Sequence, residues 1–427
     1  MTDRRDLRRL ACAALACAAL PLGAGAQDTP DGGPLVSLEI GQRLSYDSNP
    51  DFLPGDAGEP AAVARTDLAL AYTDRTRSDG FALRADAGLR AVAGEGAELD
   101  SPRLGARYSR EGPGSGFVAD LGYSRDRIET LANLAEIASE LVADNGLLIL
   151  PEGFDLFDPR LTGHRSVIDL SLGLEGGGEA ALGYGLSLDL ARVNYDGTAA
   201  LTLEDSRTLR LGGDLALRLD PATRASLGLT YTRYDEDGSD PTDRTGLVLG
   251  LARETPQGPV SLTLDAQQTL SGPRIGLSAA RRIEGPRTTL GFAVGVARPG
   301  DGALGLTGDV TLARALPEGA LTFEARQRYD AAADGEDRRV TSLATGYTEA
   351  LTPLTSVDLS LDYIDARTGE DRVRSASLSG AVSYRVTQDW ALSAGVTLGT
   401  RRADDIADTR SETVFLGLGR TYAVRPW

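Results

Sequence analysis

The chain has little of what disulfide-stabilised folds and metal centres require. It contains two Cys, one His, one Met and two Trp among 427 residues; aromatic residues make up 5%, and Lys is absent. Both cysteines, Cys12 and Cys17, lie in the first 26 residues, so the rest of the chain has no thiol. This excludes disulfide bonds and cysteine-based metal sites in the mature protein. No phosphate-binding glycine motif and no metal-ligand cluster occur either, so no cofactor is expected.

Long hydrophobic runs are also absent. Hydrophobic residues make up 41% of the chain, yet no segment approaches the ~20 consecutive apolar residues that a transmembrane helix needs. If the protein crosses a membrane, it does so by other means than helices.

Residues 1–26 are predicted to be a signal peptide. Four Arg precede the apolar stretch 10–22, and the small residues 24–26 stand before a cut at Gln27. A membrane anchor is the first alternative, but the segment is short and no stop-transfer run follows. A lipoprotein processed at Cys17 is the second, but the apolar run continues beyond that residue.

The charge balance excludes nucleic acid as a partner. The full chain carries a net charge of −18, and residues 1–26 hold four Arg and two Asp, so the mature chain 27–427 is near −20. A polyanion would be repelled. The residue pattern stays uniform from residue 35 onward without a linker, which favours one repeated architecture over several domains.

Strict alternation of apolar and polar residues is the main structural signal. In 207–219 every second position from Leu209 to Leu219 is Leu or Gly, and the positions between them hold Arg, Gly, Asp or Ala; 356–363 alternates in the same way. Strands of a soluble sandwich alternate too, but they are usually about five or six residues long. Most segments here approach the ~9–11 residues of a tilted strand that crosses a bilayer. The predicted strands are 35–47, 61–74, 79–92, 101–111, 115–127, 164–174, 178–195, 206–219, 222–235, 242–253, 257–269, 273–283, 286–297, 303–314, 318–329, 336–349, 352–365, 371–386, 388–402 and 409–425.

The connections between these segments fall into two classes. Short ones contain Gly, Pro or Asp and have tight-turn chemistry, as at 112–114, 176–178, 220–222, 255–258, 316–319 and 387–389. Long ones alternate with them at 48–60, 128–163, 196–205, 235–242, 330–337 and 402–409. Short periplasmic turns and longer external loops are typical of outer-membrane barrels. The sequence therefore predicts an all-β protein, a closed antiparallel transmembrane β-barrel of about 20 strands in the outer membrane of a Gram-negative bacterium.

Two places make the strand pattern irregular. The connection 270–272 is short for an external loop, and merging strands around it would give 18 strands. The phase of the alternation also changes near Ala191, which a bulge or the extracellular end of the strand would explain.

The chain resembles the bacterial outer-membrane β-barrel porins. The resemblance covers the mature chain and rests on the signal peptide, the first strand ending in 44–50 (LSYDSNP) and the terminal aromatic Trp427. Such barrels usually end on an aromatic in the outward phase, which the assembly machinery reads, whereas Trp427 falls out of the phase kept by Leu418 and Val424. The resemblance implies a channel and leaves the transported solute open.

A barrel this wide needs something that narrows its lumen. Only 28–34 separates the expected cut from the first strand, which argues against an N-terminal plug and a TonB-dependent transporter. The long third external loop, 128–163, is the candidate constriction, because an apolar stripe at helical spacing runs from Ile128 to Leu141. It would fold inward and present carboxylates to lumenal arginines; an external lid or a contact with a neighbouring subunit is the alternative. The candidate constriction residues are Glu129, Glu136, Glu140, Asp155 and Asp158.

Charged residues in the phase opposite the leucines should line the pore. They could set ion selectivity, with mild cation preference as the hypothesis, or they could simply solvate one another. The candidate pore-lining residues are Arg210, Asp214, Arg218, Arg224, Asp309, Asp358, Asp362 and Arg385.

Catalysis and metal binding have weak support. His164 and Ser166 stand close together, but no nucleophile elbow accompanies them, so a loop or interface role is favoured. The acidic run 235–240 could bind Ca²⁺, but its spacing matches no dedicated site and a solvated loop is favoured. The protein is expected not to be an enzyme and to have no metal site.

The favoured function is passive diffusion of small hydrophilic solutes through an outer-membrane channel. The alternatives are an export conduit for polysaccharide or another polymer, and a non-conducting structural or receptor barrel. The expected partners are outer-membrane lipid and lipopolysaccharide, the barrel-assembly machinery and small solutes. The sequence leaves the oligomeric state open.

Overall fold

The described part of the chain is a single closed sheet. The computed structural model describes residues 34–50, 55, 58–93, 96–127, 163–178, 180–197, 204–269, 272–300, 302–331, 337–368, 371–404 and 408–424. They form a 20-stranded antiparallel sheet in which consecutive strands pair. The first strand pairs with both the second and the last, so the barrel is closed and has no free edge. The predicted fold and the count of 20 strands are confirmed.

The strand bounds lie close to the predicted ones. They are β1 Leu35–Asp47, β2 Ala61–Arg75, β3 Asp79–Val92, β4 Gly96–Gly112, β5 Ser115–Arg127, β6 His164–Gly176, β7 Leu182–Asp196, β8 Ser206–Arg218, β9 Thr223–Glu236, β10 Thr242–Arg253, β11 Val260–Thr269, β12 Gly272–Glu284, β13 Thr288–Arg298, β14 Gly305–Ala315, β15 Gly319–Ala331, β16 Asp337–Thr352, β17 Thr355–Thr368, β18 Asp371–Arg385, β19 Trp390–Ala403 and β20 Thr409–Val424.

The two rims of the barrel differ in their connections. The rim where β1 begins and β20 ends carries tight connections such as 113–114 and 353–354, and is called the turn rim. In the turn after β8, the backbone N–H of Ala222 donates to Asp220 Oδ1 at 2.8 Å, and this bond lowers the pKa of the Asp220 carboxyl.

The opposite rim is called the loop rim and carries the longest connections. They lie between β1 and β2 and along β5 to β8. Other connections at the same rim, 93–95, 270–271 and 369–370, are as short as turns. The long loops therefore belong to particular sectors of the barrel rather than to the whole rim.

The outer surface is a belt of exposed aliphatic side chains. Leu211, Leu215 and Leu217 on β8 are 44 to 46% exposed, and leucines on other strands behave in the same way. Exposing such an apolar surface to water would be unfavourable in free energy, whereas the hydrocarbon of a bilayer solvates it. Among the described residues no helix is long and apolar enough to cross a membrane.

The irregular places in the pattern have clear structural outcomes. β11 and β12 are separate strands that pair from Thr269 opposite Gly272 onward, so they do not merge. β7 keeps an unbroken register with β6 and β8, so the phase change near Ala191 is no bulge. It marks the loop rim, where the outward residue is the polar Arg192 and the inward Val193 is buried.

A bulge does occur, but in β4. The register between β3 and β4 shifts between the pairs Asp86–Arg103 and Gly88–Asp100, and Ser101 has a φ of 46°. Residues on the same face of a regular strand are separated by an even number of positions, but the outward Leu99 and Leu104 are five positions apart. The predicted start of this strand at 101 was wrong, because the bulge breaks the alternation on which the prediction rested.

Apart from glycines, the buried residues of the described chain all lie near the loop rim, Pro299 included. Towards the turn rim the inward side chains are half-buried or exposed. The interior is therefore densest at the loop rim. The buried side chains there are Asn49, Val92, Asp100, Asp126, Val193, Ser206, Tyr234, Glu236, Thr242, Thr269, Arg274, Ala297, Arg338, Val340, Ile364, Ala366, Val373, Ser375, Arg401, Ala403 and Thr409.

Candidate functional site: the lumen

The predicted pore-lining residues occupy the inward phase of their strands. Arg210 and Asp214, for example, alternate with the exposed Leu211 and Leu215 on β8. On β17, Asp358 and Asp362 alternate with exposed leucines in the same way. The remaining four, Arg218, Arg224, Asp309 and Arg385, hold the same phase on β8, β9, β14 and β18. Their role in ion selectivity stays a prediction.

The lumenal wall formed by β2 to β5 is a network of ion pairs. Arg65 Nε lies 2.6 Å from Asp67 Oδ1, and its Nη1 lies 2.7 Å from Asp100 Oδ2. The Asp100 side chain is only 4% exposed, so the contact with Arg65 compensates a carboxylate that has lost its water. Further pairs on this wall are Arg84–Asp86 at 2.7 Å, Arg90–Glu98 at 3.1 Å, Arg103–Asp126 at 3.3 Å and Arg107–Asp120 at 3.6 Å.

The wall formed by β16 to β19 is made chiefly of small hydroxyl residues. Ser360 and Ser379, which face each other across β17 and β18, share a hydrogen bond of 2.6 Å. Asp358 and Asp362 are the carboxylates on this wall, and among the described residues neither forms an ion pair. Its hydroxyl residues include Ser342, Thr348, Ser356, Ser375, Ser377, Ser383, Ser393 and Thr397.

Among the eight predicted residues, Asp309 stands in a defined ion pair. Its Oδ2 lies 3.1 Å from Nε of Arg326, which also contacts Glu324 at 2.8 Å. Arg326 and Glu324 stand two apart on β15 and so share the inward face. This short chain of charges fixes Asp309 against the wall.

Glycines on the inward face give neighbouring polar side chains room to lie flat. The carboxylate of Asp169 lies where a Cβ on Gly122 would be, and that of Asp265 overlies Gly276 in the same way. The pairs are direct neighbours in register across adjacent strands. This close approach is one reason for the 51 glycines of the chain. These two carboxylates therefore lie along the wall instead of projecting into the bore.

A recess of about 630 Å³ opens near the turn rim between β4 and β8. Glu111, Glu175 and Asp214 line it together with several glycines. Its wall is thus acidic and smooth, and a small hydrated solute would meet carboxylate oxygens there.

The remaining candidates are the constriction residues, His164 and Ser166. Glu129, Glu136, Glu140, Asp155 and Asp158 lie outside the described residues. His164 opens β6 at the loop rim, with Nδ1 3.5 Å from Asp196 Oδ1, while Ser166 stands opposite Arg125 and Asn194. In the described segments, no group of three or more His, Cys, Asp or Glu side chains could hold a metal ion.

Sequence reasoning missed the ion-pair wall, although a signal for it was present. Opposite charges two positions apart lie on one face of a strand, and this spacing recurs at Arg65 and Asp67 and at Arg84 and Asp86. The partners on other strands, such as Asp100 on β4 for Arg65 on β2, depend on register and carry no local signal.

No protein-family model matches the sequence, and no curated protein matches it. Solved structures do share the fold. The ferric-catecholate import receptor Fiu from E. coli is similar with a TM-score of 0.52 at 10% identity, over 93% of this chain and 82% of that one.

Two receptors from Pseudomonas aeruginosa are similar to the same degree. A ferric enterobactin receptor, in complex with enterobactin, has a TM-score of 0.51 at 10% identity, over 92% of this chain and 82% of that one. The siderophore receptor PirA has a TM-score of 0.50 at 11% identity, over 92% and 81%. At these identities the likeness concerns the fold: this chain is a β-barrel of the Gram-negative outer membrane.

Proposed function

We propose that the protein is a porin-like outer-membrane channel for passive diffusion of small hydrophilic solutes. The observation that carries the proposal is the contrast between the faces of the wall. The outward face exposes leucines, whereas the inward face carries charges and hydroxyls that stay half-buried or exposed towards the turn rim. A polar, solvent-accessible inner face is what a water-filled pore requires.

The connection 128–163 is the proposed constriction. β5 ends at Arg127 and β6 begins at His164, so this connection leaves and re-enters the wall at the loop rim. The inward side chains are most buried at that rim, which supports a narrowing there. In this proposal Glu129, Glu136, Glu140, Asp155 and Asp158 supply carboxylates that face lumenal arginines.

A receptor role is the second candidate. The barrel shares its fold with proteins described as siderophore receptors. In this case the barrel would bind a small solute and would not conduct ions on its own. Polymer export has less support, since aromatic residues such as Tyr363, Tyr384 and Tyr422 stand in the outward phase instead of lining the lumen. Catalysis forms no part of either proposal.

Assembly and lipid contacts follow from the location. We infer that the barrel-assembly machinery inserts the chain and that its outward belt contacts outer-membrane lipid. Lipopolysaccharide is the expected lipid at the external rim, because it forms the outer leaflet of this membrane.

Single-channel recording tests the channel proposal. The mature protein, a variant lacking 131–160, and the variant E129Q/E136Q/E140Q would be compared in planar bilayers, after heat-modifiable migration has shown that each is folded. We expect steady conductance from the wild type, higher conductance from the deletion, and nearly unchanged conductance with altered ion selectivity from the substitution variant.

The other outcomes discriminate between the candidates. A silent wild type with a conducting deletion variant would indicate a plugged conduit. Silence from all three folded proteins would exclude the channel and favour the receptor barrel.

A further inference from the structure

Six arginines share one outward patch at the loop rim. They follow the outward phase that is set by the exposed Leu361, Leu378, Leu398 and Val414. The patch covers five consecutive strands of a protein whose net charge is −18. We call it the rim arginine cluster; it consists of Arg339 on β16, Arg367 on β17, Arg372 and Arg374 on β18, Arg402 on β19 and Arg410 on β20.

The residues between these arginines fix their direction. Val340, Ala366, Val373 and Ala403 are direct neighbours in register across β16 to β19. All four point inward and are at most 7% exposed. Since alternate residues of a strand point to opposite faces, the adjacent arginines point away from the lumen.

The register brings like charges together. Arg339 stands opposite Arg367, and Arg367 stands opposite Arg372. Directly opposed side chains on paired strands have Cβ atoms ~5 Å apart, and like charges at that spacing destabilise a sheet. Anions beside these three arginines would therefore stabilise the sheet by offsetting the repulsion between their charges.

The protein supplies only part of that negative charge. Arg372 forms a bidentate contact with Asp365, which Arg367 approaches to 3.7 Å. Arg402 contacts Asp408 in the same bidentate way.

The other three arginines lack such partners. Asp365 stands opposite Arg374 in register, and Asp408 and Glu412 lie two residues on either side of Arg410. Within the described segments Arg339, Arg374 and Arg410 nevertheless form no ion pair within 4 Å. Arg374 and Arg339 are half-buried and Arg410 is exposed. Their guanidinium groups are available to an external anion.

The position of the cluster relative to the lipid-facing belt indicates which class of anion it meets. Arg374 is four residues beyond the lipid-facing Leu378, or ~13 Å along the strand at ~3.3 Å per residue. Leu378 is the last exposed aliphatic residue larger than alanine on β18 towards the loop rim, so Arg374 stands beyond the apolar belt, where the headgroups of a leaflet begin. Guanidinium groups bind phosphate by paired, charge-assisted hydrogen bonds.

Outward arginines also occur on other strands of the loop rim, such as Arg192 on β7 and Arg207 on β8, but among the described residues β16 to β20 form the longest run of consecutive strands that carry them. At the same rim the outward positions of β11 and β12 hold Gln268 and Pro273. A general preference for arginine at this height would not leave such a gap. We propose that the rim arginine cluster is a binding site for the phosphate groups of lipopolysaccharide.

Binding of lipopolysaccharide to the folded full barrel tests this proposal. The variant R339Q/R374Q/R410Q removes the three arginines that lack ion pairs and leaves the Asp365 and Asp408 contacts intact. The matched control, R253Q/R281Q/R314Q, removes three outward arginines at the turn rim. Heat-modifiable migration checks the folding of each protein in detergent. The probes are fluorescent rough lipopolysaccharide, the same lipid with its phosphates removed, and inorganic phosphate as competitor.

We expect the cluster variant to bind lipopolysaccharide at least about ten-fold more weakly than the wild type, and the control to bind as the wild type does. Dephosphorylated lipid should bind the wild type as weakly as intact lipid binds the variant, and inorganic phosphate should not displace the lipid. Equal binding by the cluster variant and the wild type, or an equal loss in the control, overturns the proposal. Displacement by millimolar inorganic phosphate would overturn the lipid assignment. The cluster faces away from the lumen, so channel conductance tests the proposed function separately.

Discussion

The lumenal wall of β2 to β5 and that of β16 to β19 are both polar, but they differ in how they handle charge. On the first wall, arginines and carboxylates contact each other at 2.6 to 3.6 Å. On the second, serines hydrogen-bond across strands, as Ser360 and Ser379 do at 2.6 Å, while Asp358 and Asp362 stand without ion pairs among the described residues.

This difference suggests that one wall contributes mainly to the stability of the barrel and the other mainly to its ion selectivity. The charges of a paired arginine and carboxylate nearly cancel, so the pair attracts distant ions only weakly. If one partner is removed, the other is left as a buried, uncompensated charge that lowers the stability of the barrel. Substituting a hydroxyl residue of the second wall should change the free energy of unfolding little. Among the described residues the carboxylates of that wall have no arginine partner, so their charge can attract passing cations. We therefore expect the first wall to determine how firmly the barrel holds together and the second to determine which ions enter.

The largest expected effect comes from breaking the first wall at its most buried pair. Arg65→Gln leaves Asp100 buried without this arginine, which should lower the free energy of unfolding by about 3 kcal/mol. Urea unfolding in lipid vesicles, followed by circular dichroism, measures it. R65Q/D100N should recover much of the loss, and Ser360→Ala on the other wall should cost about 1 kcal/mol or less. Equal losses in R65Q and S360A would remove the distinction.

An intermediate effect should follow from neutralising the second wall. D358N/D362N removes both unpaired carboxylates of β17, so the cation preference should fall by about two- to three-fold in permeability ratio. Reversal potentials in a salt gradient measure this ratio. The control R84Q/D86N removes an entire ion pair and should leave the ratio unchanged. A wild type that prefers anions, or a control that shifts as far as D358N/D362N, would contradict the assignment.

The smallest effect concerns the glycines beneath lumenal carboxylates. In Gly276→Ala the new methyl group would push the Asp265 carboxylate towards the bore, which should change single-channel conductance by less than about two-fold. Gly419→Ala is the matched control, because a Cβ there meets nothing within 4 Å. If the two variants are indistinguishable, the glycines do not shape the bore.

Sequence reasoning succeeded wherever alternation is uninterrupted. The bounds of β1, β3, β5 and β10 were predicted to the residue, because a lipid-facing leucine and a lumenal polar residue must alternate along a membrane strand. Reasoning failed at β4, where the bulge at Ser101 reverses the phase, and was undecided at the phase change in β7.

The inward phase of the eight candidate pore-lining residues follows from the same alternation, yet their neighbours do not. The rim arginine cluster shows this most clearly, since Arg339, Arg367 and Arg372 belong to three strands and meet only through register. Nothing local in the sequence connects them.

By itself the sequence determined the class of the protein, the face to which residues point wherever the alternation is uninterrupted, and the two kinds of connection. These properties depend on a period of two and on turn chemistry, both of which are local. Only the tertiary structure decided which charges pair, where the interior is dense and where arginines gather. Those outcomes depend on which residues closure of the barrel and the register of twenty strands bring side by side, and such contacts join positions far apart in the chain.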